Sequence, residues 1–333
     1  MADLSIGTPV DSTPALAQEA LAAAADAPGY PTVAGLPAVG EAALAWLARA
    51  LQVHSVSAVL PTIGSKELVA LLPTLLGLGP DDRVVIPTLA YPTYDVGARF
   101  AGCEVLASDD PDDVEGAALV WINSPSNPSG AITPPDRMRA MVQAARATGA
   151  ILASDECYAE FAWSGRAYSA LHDSISGGTP DGILALHSLS KRSSMAGYRF
   201  GFVAGDDQVI ARLLEVRKHL GFMVPMPVQA AAIAALADDD HVIAQRARYA
   251  ARREVLAPAL LNAGFRIDDS EAGLYLWASR GEPCWQTVAD LAERGVLVTP
   301  GDFYGPAGAE HVRVALTATD DAIARAAERL STS

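Results

Sequence analysis

The chain has 333 residues and a formal charge of −15; half of its residues are hydrophobic, only 6% are aromatic and 19% are charged. Strong acidity without a basic run excludes an ordinary nucleic-acid binder, and the apolar half excludes a disordered chain. The three cysteines, Cys103, Cys157 and Cys284, form no Cys-x-x-Cys pair, which excludes a disulfide framework or a zinc site of that kind.

The first ten residues carry neither a basic nor an apolar leader pattern. The longest apolar stretch, 224–237, is alanine-rich and falls short of the about 20 residues that cross a bilayer. A cytoplasmic, reducing location without membrane contact is the expectation. An alanine-rich helix is expected around 20–25. From residue 57 onward, short apolar runs alternate with helical periodicity. The runs predict strands at 57–61, 83–87, 104–107, 118–123, 150–155, 183–188 and 200–204, with helices at 66–76, 94–101 and 135–147 between them. Runs such as Leu119-Val120-Trp121-Ile122 are apolar on both faces, as a covered parallel sheet requires. Near residue 230 the pattern changes. A helix at 240–262, strands at 264–267, 274–278, 296–299 and 311–316, and helices at 284–294 and 322–330 read as an α+β module. The fold class is therefore α/β, with a mostly parallel seven-stranded sheet and a smaller α+β part.

Several familiar motifs are missing: G-x-G-x-x-G after a strand, the Walker P-loop, H-E-x-x-H and G-x-S-x-G. What remains is a set of polar clusters at strand ends, where open α/β sheets bind ligands. Lys191, after an apolar strand and near Arg199, is a candidate amine nucleophile toward a carbonyl, the cationic neighbour lowering its pKa; a solvated loop lysine is the plain alternative. Asp155 ends its strand and suits pairing with a pyridinium nitrogen, and Tyr158 suits a phenolic oxygen of the same ring. A helix cap with a packed tyrosine competes. Asn127-Pro128 and Ser124-Pro125 stiffen a loop that presents an amide at a fixed angle, and one X-Pro bond is a candidate for cis. Gly64-Ser65-Lys66 opens a helix whose free amides suit a phosphate. Tyr91 offers a face to a flat ring. Arg313, inside an apolar strand, calls for an anion: a ligand carboxylate or a structural Asp or Glu.

Taken together, Asn127-Pro128-x-Gly130, Asp155-x-x-Tyr158, Ser188-x-x-Lys191 with Arg199 eight further on, and Arg313 resemble the fold-type I, class I/II pyridoxal-phosphate aminotransferases over nearly the whole chain. The resemblance implies that Lys191 holds pyridoxal 5′-phosphate and shuttles the proton between Cα and C4′. It implies that Asp155 pairs the ring nitrogen and that Tyr158 and Asn127 bind the 3′-oxygen. Ser188, Arg199, Ser65 and the Lys66 backbone would hold the phosphate, with Gly64 before them; Tyr91 would stack on the ring. Arg313, aided by Gly7, would clamp the substrate α-carboxylate. Tyr30 would reach the phosphate of a neighbouring subunit in a homodimer with shared sites. A large cofactor domain at 35–230 and a smaller domain from 1–34 and 231–333 follow from the same resemblance.

The stretches 91–102, 120–130 and 187–206, and the run Val216 to Pro225, are more narrowly similar to the actinobacterial type of N-succinyldiaminopimelate aminotransferase. That implies a glutamate donor, N-succinyl-2-amino-6-oxopimelate as acceptor and a place in lysine and diaminopimelate biosynthesis. A second carboxylate calls for a second cation; Lys218 is the candidate, with surface solvation as its alternative. An alanine or other dicarboxylate aminotransferase, or a pyridoxal-phosphate carbon–sulfur β-lyase, are the competing activities.

Overall fold

A computed structural model describes residues 1–331. The strands are β1 (Ala2–Asp3), β2 (Ala58–Thr62), β3 (Arg83–Ile86), β4 (Glu104–Ala107), β5 (Ala117–Asn123), β6 (Ile151–Asp155), β7 (Ile183–Ser188), β8 (Gly201–Gly205), β9 (Arg266–Asp268), β10 (Tyr275–Ser279), β11 (Val296–Leu297), β12 (Thr299–Pro300) and β13 (His311–Ala315). The helices are α1 (Ala15–Ala23), α2 (Pro37–Trp46), α3 (Ser65–Leu75), α4 (Thr93–Phe100), α5 (Pro135–Thr148), α6 (Asp173–Ser176), α7 (Leu189–Arg192), α8 (Asp207–Leu220), α9 (Met226–Ala237), α10 (Asp240–Asn262), α11 (Cys284–Glu293) and α12 (Asp320–Ser331).

Seven strands form one sheet in the order β2-β8-β7-β6-β5-β3-β4. All neighbours are parallel except β8, which runs antiparallel to both β2 and β7. Successive side chains of a strand point to opposite faces, and the apolar runs supply both. Val85, Val120, Ile122, Leu152, Ala185 and Ala204 enter one core with α2, α5 and α9. Their neighbours Val84, Leu119, Trp121, Ala153, Leu184 and Val203 enter a second core with α3, α4 and α8. Burying both faces is what makes these strands continuous hydrophobic runs. At the ends of α8, the Asp206 carboxylate accepts from the amides of Gln208 and Val209, and Gly221 turns left-handed.

A third core joins β10, β13, α10, α11 and α12 with Ala2 and Leu4 from the chain start. Here β12, β13, β10 and β9 make a four-stranded antiparallel sheet, and β1 pairs in parallel with β11. The strand expected at 296–299 is thus two short pieces in different sheets. Residues 1–34, expected to side together with the C-terminal module, divide: β1 joins it, whereas α1 packs on α9, with Ala17 inside the first core. The reason is compositional, since α1 and α9 present small alanine faces that can approach closely. Among the described residues no helix is long and apolar enough to cross a membrane, and no cluster of His, Cys, Asp and Glu could hold a metal.

Candidate active site

Sheet register decides which residues meet. Asn123 at the end of β5 lies beside Asp155 at the end of β6, and Ser188 at the end of β7 lies beside Gly201. Because β8 is antiparallel, its first residue, Gly201, sits at this same edge beside Thr62 of β2. Arg199 before β8 and Gly64-Ser65 after β2 therefore meet, although Ser65 and Arg199 are 134 positions apart in sequence. A cleft of about 350 Å³ opens here. It is lined by Gly7, Ser65, Lys66, Tyr91, Asn127, Asp155, Tyr158, Ser188, Lys191, Arg199 and Arg313, all named from sequence, and by Thr8, Asn123, Cys157, Ser190 and Tyr275, for which no role was expected.

Lys191 sits in the single-turn helix α7 rather than in a loop, with the Ser188 hydroxyl accepting from the Ser190 amide to start the turn. Its Nζ donates to the Gly7 carbonyl. Burial pushes its pKa below that of an ordinary lysine, and Arg313 and Arg199 add to this against Tyr275 and Cys157. Burial, more than the cationic neighbour expected from sequence, makes this amine a nucleophile.

The Asp155 carboxylate is buried; Oδ2 accepts from Tyr94 Oη at 2.8 Å and Oδ1 from the Cys157 amide at 3.2 Å. Burial raises its pKa in spite of these bonds, and among the described residues it has no cationic partner. Tyr94, which stacks on Trp121 at 4.8 Å, is a supporting residue that sequence reasoning passed over in favour of its neighbour Tyr91.

Asn127 Oδ1 accepts from Arg313 Nη1 at 2.9 Å, while the Asn127 amide is held by Asn123 Oδ1 at 2.7 Å. Both Ser124-Pro125 and Asn127-Pro128 are cis, where one had been expected. Arg313 also donates to the Ser5 carbonyl, and its guanidinium lies 4.1 Å from the Tyr275 ring centre and 5.2 Å from that of Tyr304. Among the described residues no carboxylate pairs with it, and its buried Nε has no partner. The structural ion pair weighed for Arg313 is therefore not formed. Tyr275 hydrogen-bonds Tyr158, oxygen to oxygen, at 3.1 Å. Burial raises the Tyr275 pKa, but Arg313 and Lys191 outweigh it and the net shift is downward. A tyrosine inside an apolar strand is an ordinary core pattern, so nothing in the sequence singled it out.

Gly64 has a φ of +70°, and a Cβ there would come within 2.3 Å of Arg199 Nη2. Arg199 is itself left-handed at φ +56°, a conformation uncommon outside glycine. The arginine head thus lies over the start of α3. Two expected residues stay outside the cleft of this chain. Tyr30 is 96% exposed. Lys218 pairs with Glu215 one turn away on the outer face of α8, so the second cation expected of it is not in this cleft.

This donor set fits pyridoxal phosphate. A buried carboxylate without a cation faces the cleft, a lysine of lowered pKa stands opposite, and a helix start beside a serine and an arginine is suited to a phosphate.

The comparisons agree. The family model for aminotransferase class I and II matches residues 1–330. The probable aminotransferase Rv1178 of Mycobacterium tuberculosis is 57% identical over 333 residues, covering 99% of this chain and 80% of the relative. The 4-dedimethylamino-4-oxo-anhydrotetracycline transaminase OxyQ of Streptomyces rimosus is 55% identical, covering 99% and 93%. An LL-diaminopimelate aminotransferase of Dehalococcoides mccartyi is 32% identical, covering 98% and 89%. Among solved structures, an aminotransferase of Neisseria meningitidis superposes with a TM-score of 0.89 at 30% identity, covering 98% and 90%. The aspartate aminotransferase of Thermus thermophilus with maleate gives 0.89 at 24%, covering 99% and 91%, which speaks to the fold alone. The chain belongs to the class I and II aminotransferases, a pyridoxal-phosphate-dependent family of fold-type I.

Proposed function

We propose that this aminotransferase moves an amino group from glutamate to N-succinyl-2-amino-6-oxopimelate, in diaminopimelate and lysine biosynthesis. The observation that carries the reading is the cation set of the cleft. Lys66, Lys191, Arg199 and Arg313 line it, against one carboxylate, Asp155. In this reading Lys191 is committed to the cofactor, Arg199 to its phosphate and Arg313 to the substrate α-carboxylate. Lys66 is left over: it is exposed at the rim, 5.9 Å from the Tyr91 ring, with no acidic partner among the described residues. It suits the second carboxylate that both glutamate and the proposed acceptor carry, the role first sought in Lys218. The 32% identical relatives named for LL-diaminopimelate lend support from a neighbouring substrate class.

When bound, pyridoxal phosphate supplies the electron sink for reactions at the substrate Cα. The chain's own residues do the rest. Lys191 holds the cofactor through its amine and, once free, moves the proton at Cα. Asp155 would pair with the ring nitrogen, and Asn127 and Tyr158 would bind the 3′-oxygen. Ser65, the Lys66 amide, Ser188 and Arg199 would hold the phosphate next to Gly64, and Tyr91 would stack on the ring. Arg313, within 4.1 Å of the Tyr275 ring centre and 5.2 Å of that of Tyr304, takes a planar carboxylate in two parallel bonds, with Gly7 beside it. Tyr30, free of its own cleft, completes the site of a second subunit in a homodimer.

A second reading rests on OxyQ, 55% identical, whose name specifies amination of an oxo-anhydrotetracycline. An acceptor panel with glutamate as donor separates the two. Offered N-succinyl-2-amino-6-oxopimelate, oxaloacetate, pyruvate and a 4-oxo-anhydrotetracycline, the enzyme is expected to give its highest kcat/KM with the first. Preference for pyruvate or for the polycyclic ketone overturns the substrate assignment. Release of pyruvate from cystathionine without any acceptor points to the β-lyase.

A further inference from the structure

Behind the cleft lies a second, much smaller chamber of about 10 Å³, whose walls Cys157 and Ser188 also belong to the cleft. It is ringed by buried polar atoms that have no hydrogen-bond partner: Trp46 Nε1, Glu156 Oε2, and both ring nitrogens of His187. Strand alternation explains the arrangement, since Asp155 points into the cleft and Glu156, the next residue, points away from it. Glu156 Oε1 accepts from the Ala170 amide at 2.8 Å. Its Oε2 stands 3.6 Å from His187 Nε2, too far for a direct bond. His187 is held between Trp46 and Phe202, with ring centres at 5.0 and 5.1 Å. A chamber of this size holds about one water, and buried water is found where two to four polar groups converge.

We propose that Trp46, Glu156 and His187 enclose one ordered water and form a buried proton-holding site, with Glu156 a positioning residue that acts on the cofactor through Asp155. The coupling rests on Asp155 facing the ring nitrogen. The titratable and charged groups around Glu156 are Cys157 on its own segment, His187 on β7 and Arg192 on α7, whose charge is already met by Glu160, while Asp155 acts on it from the opposite side of the backbone. Burial pushes Glu156 up to about 7, with the Asp155 charge adding to the rise, and burial together with Arg192 pushes His187 down to about 3. The imidazole is therefore neutral at neutral pH, and the proton that moves belongs to Glu156. As pH rises, the O–H bond of its carboxyl breaks and the proton leaves by way of the chamber water. The new carboxylate then stands behind Asp155 and favours a positive charge in front of it.

Two readouts on the holoenzyme test this. Infrared difference spectra across neutral pH are expected to contain a protonated-carboxyl stretch that disappears as pH rises through about 7. The stretch should be absent in Glu156→Gln and shifted in Trp46→Phe, which keeps an aromatic side chain and removes the N–H. The pH midpoint of the visible absorbance of bound cofactor is expected to fall in Glu156→Gln. No carboxyl signal sensitive to either variant overturns the proton site. A signal that is present while both enzymes titrate alike overturns the action through Asp155. Failure of Asp155→Asn to alter that titration overturns the Asp155 assignment separately, and the infrared band still reports on Glu156 itself. Trp46→Phe keeps the test available if Glu156→Gln does not fold.

Discussion

Arg313 makes the most demanding use of side-chain geometry in the cleft. It is stacked on Tyr275, bonded to Asn127 and the Ser5 carbonyl, and unpaired by any carboxylate among the described residues. Lysine keeps the charge but loses the planar fork and the stack. Arg313→Lys is expected to cost about 1.5–3 kcal/mol of substrate binding, seen as a rise in KM of roughly ten- to hundredfold in steady-state assays. An unchanged KM would remove Arg313 from the substrate site. His187 gives a different signature. Its pKa is held down, by burial first, so the unfolded chain binds the proton more readily. Stability from this group is complete above its ordinary 6.5 and is lost as pH falls toward about 3. His187→Leu cannot be charged. The stability of wild type relative to this variant should therefore decline as pH is lowered through that window in denaturant titrations.

At the level of elements, the seven sheet strands were legible because apolar residues fill both faces, and each lies within a residue or two of its expected place. Helices α2 and α8 were not, and neither were the ends of α9. The chain Met226-Pro-Val-Gln-Ala-Ala-Ala-Ile-Ala-Ala-Leu-Ala has no polar face to give a 3.6-residue period, because α9 packs on both α1 and α2. The cleft residues that follow strands were legible for the same reason as the strands. Tyr94, Tyr275 and Glu156 were not, since their roles come from contacts between distant segments. Arg217 is a further instance. Beside Lys218 it reads as half of a solvated pair, yet it is buried on α8 and makes two hydrogen bonds to Glu67 at the start of α3, at 2.6 and 3.1 Å. It ties α8 to the helix whose first turn forms the phosphate cradle. Arg217→Met leaves Glu67 without its partner and is expected to destabilise the fold by about 3 kcal/mol, read from the denaturation midpoint. A shift under about 0.5 kcal/mol, the usual range of a surface change, would contradict the tie.

For the molecule as a whole, the charge of −15 gains meaning from where the cations sit. Four of the 24 lysines and arginines line one cleft that holds a single carboxylate. An acidic protein has thus gathered a local positive field for a phosphate and for anionic substrates. The chain's two ends meet at that cleft: Gly7 and Thr8 line it together with Arg313, which donates to the Ser5 carbonyl, and the N-terminal strand β1 pairs with β11 of the C-terminal module. The claim at the centre of this picture is that Lys191 is the residue to which the cofactor is joined. Borohydride reduction of the yellow holoenzyme, followed by peptide mapping, tests it directly. The account predicts one modified residue, Lys191, carrying the reduced cofactor, and no label in Lys191→Ala. Label on Lys66 or on any other lysine, or a protein that takes up no pyridoxal phosphate, would contradict it.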